Sequence, residues 1–328
     1  MQDWLLSIWY GGPASGWWLQ PLAWLYGGIL RLRRALYARG WRSRYRSNRP
    51  VVVVGNLSVG GTGKTPFVLW LALQLAGRGL QVGIAIRGYG GAGGAARRVA
   101  NDDDAAQVGD EALLLQRRLG CPVAVGARRA DAVRLLEPDC GLILCDDGLQ
   151  HEALARDFEI VVIDGARGFG NGRLLPAGPL REPATRLASV DAIIVNGDGF
   201  ERPGAIRMRM VPRGVFAVGG TARRELGDFS GRPVIAVAAI GHPARFFALL
   251  RERGLEIEER AFPDHAVLTP EMAGIGQGRA VLMTEKDAVK CTGDRWQDAW
   301  YLRVDAEVEP TLAAPLLDRI AALPTARH

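Results

Sequence analysis

VVVVGNLSVGGTGKTPFVLWLALQL, residues 51–75, is the stretch that decides the fold. Four consecutive valines read as a buried strand, the glycine-rich run after them cannot be regular structure, and the apolar residues 67–75 suit a buried helix. Strand, glycine loop and helix make a phosphate cradle. Gly60, Gly61 and Gly63 let several backbone N–H groups converge on one anion without Cβ clashes, and a helix beginning near Lys64 aims its positive dipole end at the same point. In that geometry Ser58, Val59, Gly60, Gly61, Thr62, Gly63, Lys64 and Thr65 surround a nucleotide's phosphates, with Lys64 reaching the β- and γ-phosphates and the Thr65 hydroxyl binding Mg²⁺. Two positions depart from common patterns. GxxxxGK(S/T) has glycine where Ser58 stands, and the GGxGKT form of another branch of P-loop proteins begins with a signature lysine where Val59 stands. A flexible turn with a chance GKT is the competing reading, but strand and helix flank the loop on the correct sides.

The 328 residues are enough for two domains, and 48% hydrophobic with 23% charged residues is ordinary for a folded protein. Cys121, Cys140, Cys145 and Cys291 contain no CxxC pair and two of them lie in or beside an apolar run, so buried thiols in a reducing compartment are expected, with neither zinc nor disulfides. The basic charge is local. Residues 1–50 hold eight Arg against one acidic residue, Asp3, a net +7, whereas the whole chain is +6. A nucleic-acid enzyme carries its basic surface on the catalytic body, so the asymmetry excludes that class and points to a local anionic partner. Lysine is rare: Lys64, Lys286 and Lys290 stand among 41 basic residues, and each marks a place that needs a compact point charge unless composition bias alone accounts for them.

Residues 1–48 read as a membrane-associated helical segment. Six of the nine Trp (Trp4, Trp9, Trp17, Trp18, Trp24, Trp41) fall here with four of the six Tyr, the enrichment expected at a lipid headgroup boundary. Trp18, Leu22, Leu25, Ile29, Leu32 and Leu36 form one helical stripe, with Arg31 and Arg34 on the far side and Pro21 in the first turn. The apolar run 17–30 is shorter than the ~20 residues a bilayer span needs, so the helix is expected to lie in the interface beside anionic lipid. Its arginines follow the apolar core, whereas a secretory signal has them in front. The same stripe would also suit a helix docked on the protein's own core.

Beyond the P-loop, strands at 82–86, 123–125, 142–145, 159–163 and 192–195 alternate with helices near 110–119 and 127–136, as in a doubly wound parallel α/β sheet. This P-loop domain is expected over 49–204. Residues 206–211 and 215–218 alternate like a two-stranded ribbon around Pro212–Gly214, which would make 205–220 a hinge to a smaller α/β lobe at 221–328 closed by a helix at 312–323. Ligand chemistry in such sheets gathers at the carboxyl ends of the strands. There LILCDDGLQH sets Asp146 and Asp147 directly after a strand, where either can be the Mg²⁺ carboxylate. Asp110 and Glu111 open a helix and on spacing alone are acidic first-turn residues. His265 lies on a loop, where a lone histidine is most often solvated. The Pro-rich loop 174–183 carries Arg181 and Glu182.

GNLSVGGTGKTP, RGYGG, VGDE, DDGLQH, LLPAGPLREP, GHPARFF, FPDH and TEKDAVK, in that order across residues 50–290, resemble the tetraacyldisaccharide 4'-kinases of lipid A biosynthesis. The resemblance implies ATP-dependent phosphorylation of a sugar hydroxyl on an acylated disaccharide glycolipid, at the cytoplasmic face of the inner membrane of a Gram-negative bacterium. It implies that Lys64 and Thr65 bind nucleotide and Mg²⁺, that Asp146 or Asp147 is the metal carboxylate, with Glu182 a further metal candidate, and that Asp110 and His265 together accept the proton of the attacking 4'-hydroxyl. His265 would then come from the second lobe and the phosphates from the first, so catalysis would require closure about the ribbon. Glu111, Arg87, Tyr89 and Arg181 are site neighbours without assigned roles.

Other classes are a membrane-associated regulatory ATPase, a GTPase and a metal-delivery protein. The first usually carries the lysine that Val59 replaces, no NKxD guanine motif occurs, and no Cys or His cluster would hold a cargo metal.

Overall fold

The computed structural model describes residues 2–12, 15–88 and 95–324. The described strands are β1 (Val51–Gly55), β2 (Val82–Ile86), β3 (Arg97–Arg98), β4 (Val123–Val125), β5 (Leu142–Asp146), β6 (Phe158–Asp164), β7 (Ala192–Asn196), β8 (Ile206–Ala217), β9 (Arg223–Arg224), β10 (Val234–Ala238), β11 (Ile257–Ala261), β12 (Val281–Thr284) and β13 (Ala299–Val308). They form one sheet in the order β11-β10-β12-β13-β8-β7-β6-β1-β5-β2-β4-β3, with β9 on β8. From β4 to β8 every neighbouring pair is parallel, as are the pairs from β11 to β13. The two parallel halves join through the antiparallel pair β8/β13.

Helices cover both faces: α1 (Gln2–Tyr10), α2 (Gln20–Ala38), α3 (Lys64–Gly77), α4 (Ala105–Val108), α5 (Asp110–Leu119), α6 (Arg129–Leu136), α7 (Pro243–Glu252), α8 (Pro270–Ala273), α9 (Glu285–Ala288) and α10 (Pro310–Ala321). β1 is buried throughout because its side chains alternate between two cores. Val52 and Val54 pack with α3 and α5, while Val51 and Val53 pack with Val133 and Leu136 of α6. Cys140, Cys145 and Cys291 are buried free thiols and Cys121 is half-buried.

The ribbon differs from the sequence expectation. Residues 206–217 do not fold back at Pro212–Gly214 but run on as one strand whose partner is β13, from Trp300↔Ala217 to Val308↔Met208. The turn residues are absorbed as an irregularity opposite Arg303/Val304, with Gly214 at φ 134. Nor does the final helix simply close the second half: Leu316, Leu317 and Ile320 of α10 lie in the same core as Phe67 and Leu71 of α3. The strand β11 has no counterpart in the sequence reading.

The stripe on α2 faces outward. Leu22, Leu25, Ile29 and Leu32 are more than half exposed, while Ala23, Gly27 and Leu30 are buried. The inner face carries Gly27 where the helix lies closest to loop 171–182: a Cβ on Gly27 would meet Leu174 Cδ1 at 3.0 Å, and the Tyr26 hydroxyl donates to Arg181 O at 3.0 Å. Among the described residues no helix is long and apolar enough to cross a membrane.

Candidate active site

The glycine loop links β1 to α3 and is shaped by its neighbours. Asn56 Nδ2 donates to the carbonyls of Ser58 (2.6 Å) and Gly60 (3.4 Å), and Asn196 Nδ2 donates to Thr62 O (3.1 Å). Gly60 and Gly63 adopt φ 107 and 90, which L side chains avoid, and a Cβ on Gly63 would stand 2.5 Å from Asn196 Nδ2. Ser58 is buried and bridges to Leu180, and the Val59 N–H is committed to Pro179 O at 2.9 Å. The expected eight-residue cradle is thus anchored at its first two positions by loop 174–182, leaving residues 60–65 for an anion.

Asp146 and Asp147 part company at the end of β5. Asp146, still in strand register with Val54, has Oδ2 3.2 Å from the Thr65 hydroxyl that donates to it, and its Oδ1 is buried without a hydrogen-bond partner. Burial first, then the Glu111 charge, push its pKa up to about 7. A hydroxyl and a desolvated carboxylate with one open oxygen are hard oxygen donors that fit Mg²⁺. Asp147 leaves the strand at φ 51 and turns to the cations instead, with Arg181 Nη1 at 3.1 Å and Lys64 Nζ at 3.6 Å. Burial would raise its pKa, but Lys64 and then Arg181 hold it below the usual carboxylate range. Glu182 is not brought to this corner. It is buried against Arg34 of α2 and Arg186, whose Nε is 3.5 Å away.

The other two predicted residues meet although 155 positions separate them: His265 Nδ1 lies 3.1 and 3.0 Å from the two oxygens of Asp110. Gly109 lets the chain turn at φ 90 so that Asp110 opens α5, and His265 itself holds φ 63. The bond from Asp110 raises the His265 pKa against the lowering by burial. Burial opposes ionisation of Asp110, but the His265 bond and the Lys286 charge lower its pKa below the ordinary value. The pair stands beside the cradle, since a Cβ on Gly241 would meet Asp264 Oδ2 at 3.4 Å and Gly61 N at 3.8 Å.

Two groups here were not foreseen as site residues. Lys286 Nζ is 3.0 Å from Glu111, 3.5 Å from Asp264 and 3.9 Å from Asp110; burial works against its charge, but these three carboxylates raise its pKa. Its signal was the scarcity of lysine: Lys64, Lys286 and Lys290 each face an acidic partner. Arg129, buried in α6, donates through Nη2 to the carbonyls of Asp146 and Asp147, which gives the two aspartates a nearby counter-charge. Nothing in its local sequence marks it. Arg87 lies close enough for its charge to act on Arg129 and His151, and Tyr89 lies outside the described residues.

Comparison with known proteins bears on this arrangement. The family model described as Tetraacyldisaccharide-1-P 4'-kinase matches residues 15–321. A tetraacyldisaccharide 4'-kinase of Aeromonas hydrophila is 50% identical over 326 residues, covering 97% of this chain and 96% of the relative. One from Alkalilimnicola ehrlichii is 51% identical over 310 residues, covering 93% and 92%. The structure of LpxK from Aquifex aeolicus in complex with ATP superposes with a TM-score of 0.76 at 29% identity, over 92% of this chain and 98% of that one. With a glycine cradle, an acid–histidine pair beside it and near full-length matches of this kind, the chain belongs to the tetraacyldisaccharide-1-P 4'-kinase family.

Proposed function

We infer that this chain is an ATP-dependent kinase of lipid A biosynthesis that transfers the γ-phosphate to the 4'-hydroxyl of a tetraacyl glucosamine disaccharide 1-phosphate. The observation that carries the mechanism is the Asp110–His265 contact, 3.0 Å, made between the two halves of the sheet beside the glycine loop. Phosphoryl transfer asks chiefly for charge neutralisation and an aligned nucleophile. The O4'–P bond forms as the bond from Pγ to the β,γ-bridging oxygen breaks, and the electron pair leaves with ADP. The hydroxyl proton passes to the Asp110–His265 pair, whose carboxylate orients the imidazole and raises its basicity. Lys64 neutralises the β- and γ-phosphates, and Thr65 with Asp146 holds Mg²⁺. Mg²⁺ bound there supplies positive charge to the phosphate oxygens.

Closure about β8 and β13 brings the half bearing His265 to the half bearing the phosphates. An acceptor with four acyl chains stays in the bilayer, so the enzyme works at the membrane surface. The outward stripe of α2, with Trp17 and Trp24 also exposed, is an apolar patch rimmed by arginines, suited to the anionic cytoplasmic face of the inner membrane. Turnover of labelled ATP with and without acylated disaccharide tests the reading. A kinase moves label into lipid; release of inorganic phosphate alone would mark a regulatory ATPase.

A further inference from the structure

Arg167 holds a positive charge against the phosphate cradle. β6 ends at Asp164, which is buried, and Asp164 Oδ1 accepts the N–H groups of Ala166 (3.1 Å) and Arg167 (3.3 Å). The same oxygen accepts from Arg245 Nη2 at 3.1 Å, so the turn is tied both to the strand end and to α7 of the other half. The Arg167 guanidinium lies over the Tyr10 ring, 5.2 Å from its centroid, in a cleft lined by Leu6, Gly12, Ala166 and Gly170. A Cβ on Gly60 would stand 3.6 Å from Arg167 Nη1.

Its neighbours leave that charge without an anion. The Asp164 carboxylate takes the Arg167 backbone and the Arg245 side chain; among the described residues no side-chain hydrogen bond or ion pair engages the Arg167 guanidinium. Arg181, by contrast, is committed to Asp147. His242 adds no negative charge: its Nδ1 is buried without a partner, and burial, then Arg167 and Arg245, lower its pKa. A fixed guanidinium beside a glycine loop therefore has room for one more charge-assisted contact, and phosphate oxygens match its fork.

The position along the cradle identifies which phosphate. The start of α3 defines one end of the loop, where the helix dipole and successive N–H groups hold the inner phosphates while the Lys64 side chain reaches outward to the β- and γ-phosphates. Gly60 and Gly61 form the other end, and Gly61 N is the cradle atom that approaches Gly241 and, through it, Asp264, next in the chain to His265. The phosphoryl group in flight lies between the cradle and the proton acceptor, hence at the Gly60–Gly61 end.

We propose that Arg167 is a catalytic residue of the transfer, its guanidinium bonding the non-bridging oxygens of the γ-phosphoryl group as it moves from ADP to the 4'-oxygen. Arg167 gives and takes no proton; the hydroxyl proton still goes to Asp110–His265. Asp164 is its positioning residue. The proposal rests on ATP occupying residues 60–65 as set out above.

The test uses the full-length enzyme with Arg167→Ala and Arg167→Lys, measuring kcat, KM for ATP and for disaccharide, and equilibrium binding of Mg·ADP and of a non-hydrolysable Mg·ATP analogue. Arginines that neutralise this transition state are worth about 10³-fold or more in rate, so the Ala variant should lose roughly that in kcat. Mg·ADP affinity should stay at the wild-type level while the analogue binds more weakly, and Lys should restore part of the rate as a point charge without the fork. A kcat within about tenfold of wild type overturns the proposal. So does an equal loss of ADP and analogue affinity, or a raised KM for disaccharide alone, which would make Arg167 an acceptor-binding residue. Wild-type protein that fails to bind Mg·ADP would instead overturn the cradle reading. Should the Ala variant not fold, Arg167→Gln carries the same readouts.

Discussion

Asp146→Asn should make the ligand-free protein more stable while abolishing phosphoryl transfer. The carboxylate is 2% exposed, has an oxygen without a hydrogen-bond partner, and is pushed by burial and by Glu111 from 3.8 to about 7. At about 1.4 kcal/mol per pKa unit, holding Asp146 ionised in the fold costs up to about 4 kcal/mol. The effective dielectric of real protein interiors, about 20, lowers this to roughly 2 kcal/mol. Because the folded pKa lies above the unfolded one, the fold binds the proton more tightly. The stability this gives is complete below the unfolded value of 3.8, declines as pH rises, and is gone above about 7. Asn keeps the shape and an acceptor for Thr65 but carries no charge, so its advantage appears only on the alkaline side.

For 328 residues at about 2.1 cal/mol/K each, the unfolding entropy is about 0.7 kcal/mol/K, and 2 kcal/mol corresponds to a Tm about 3 °C higher. Thermal melts in EDTA near pH 8 and near pH 5 read this directly, with the difference between variant and wild type full at the first and reduced to roughly a third at the second. Adding Mg·ATP should reverse the order, since the metal restores the counter-charge only where the carboxylate exists. An Asn variant that melts below wild type in EDTA near pH 8, or that gains as much as wild type from Mg·ATP, would refute the assignment of Asp146.

Three further outcomes are expected. His265→Ala should lower kcat by roughly 10²- to 10⁴-fold and leave ATP binding intact; steady-state kinetics with unchanged turnover would remove His265 from the mechanism. Asp110→Asn removes the bond that raises the His265 pKa, so the imidazole loses its proton at lower pH and the acid limb of the kcat profile should move downward, alongside a lower plateau; a limb that stays in place would mean the two do not titrate together. Replacing Trp24, Leu25 and Ile29 with Ser should release the protein from anionic vesicles, each side chain forfeiting about 1.5–3 kcal/mol of burial, with no fall in Tm because all three point away from the fold. A lowered Tm with vesicle binding retained would identify the stripe as part of the protein's own core.

How much of this was legible follows from what is local. Strand, glycine loop and helix are contiguous, so the cradle could be read directly from residues 51–75. Asp146 and Asp147 could not be told apart, since both follow the strand; the choice is made by the φ of 51 that turns Asp147 out of register toward Lys64 and Arg181. Asp110 and His265 are joined by no spacing rule, and their pairing came only through family resemblance. β11, IEERA, escaped because it is an edge strand with exposed Glu258 and Glu259, the charges that keep an edge from aggregating and that remove the apolar pattern. Periodicity found the stripe on α2 but not its direction. That direction follows from the opposite face, where Ala23, Gly27 and Leu30 recur at helical spacing and Gly27 admits Leu174 of the loop beneath.

The same loop explains why that helix and the phosphate cradle belong to one machine. Arg34 of α2 pairs with Glu182, and Tyr26 bonds the Arg181 carbonyl. The Arg181 side chain holds Asp147, which faces Lys64, and Val59 at the cradle's entrance is bonded to Pro179. Partly buried ion pairs and backbone bonds therefore run without a break from the helix bearing the outward apolar stripe to Lys64 at the end of the glycine loop. Breaking one member leaves a buried charge without its partner, so the cost of tilting α2 relative to the cradle is high. On the proposed function, a helix held this firmly would set the height of the cradle above the lipid. Glu182, named in the sequence as a further metal candidate, is buried against Arg34 and Arg186, so its carboxylate ties α2 to the loop that borders the cradle.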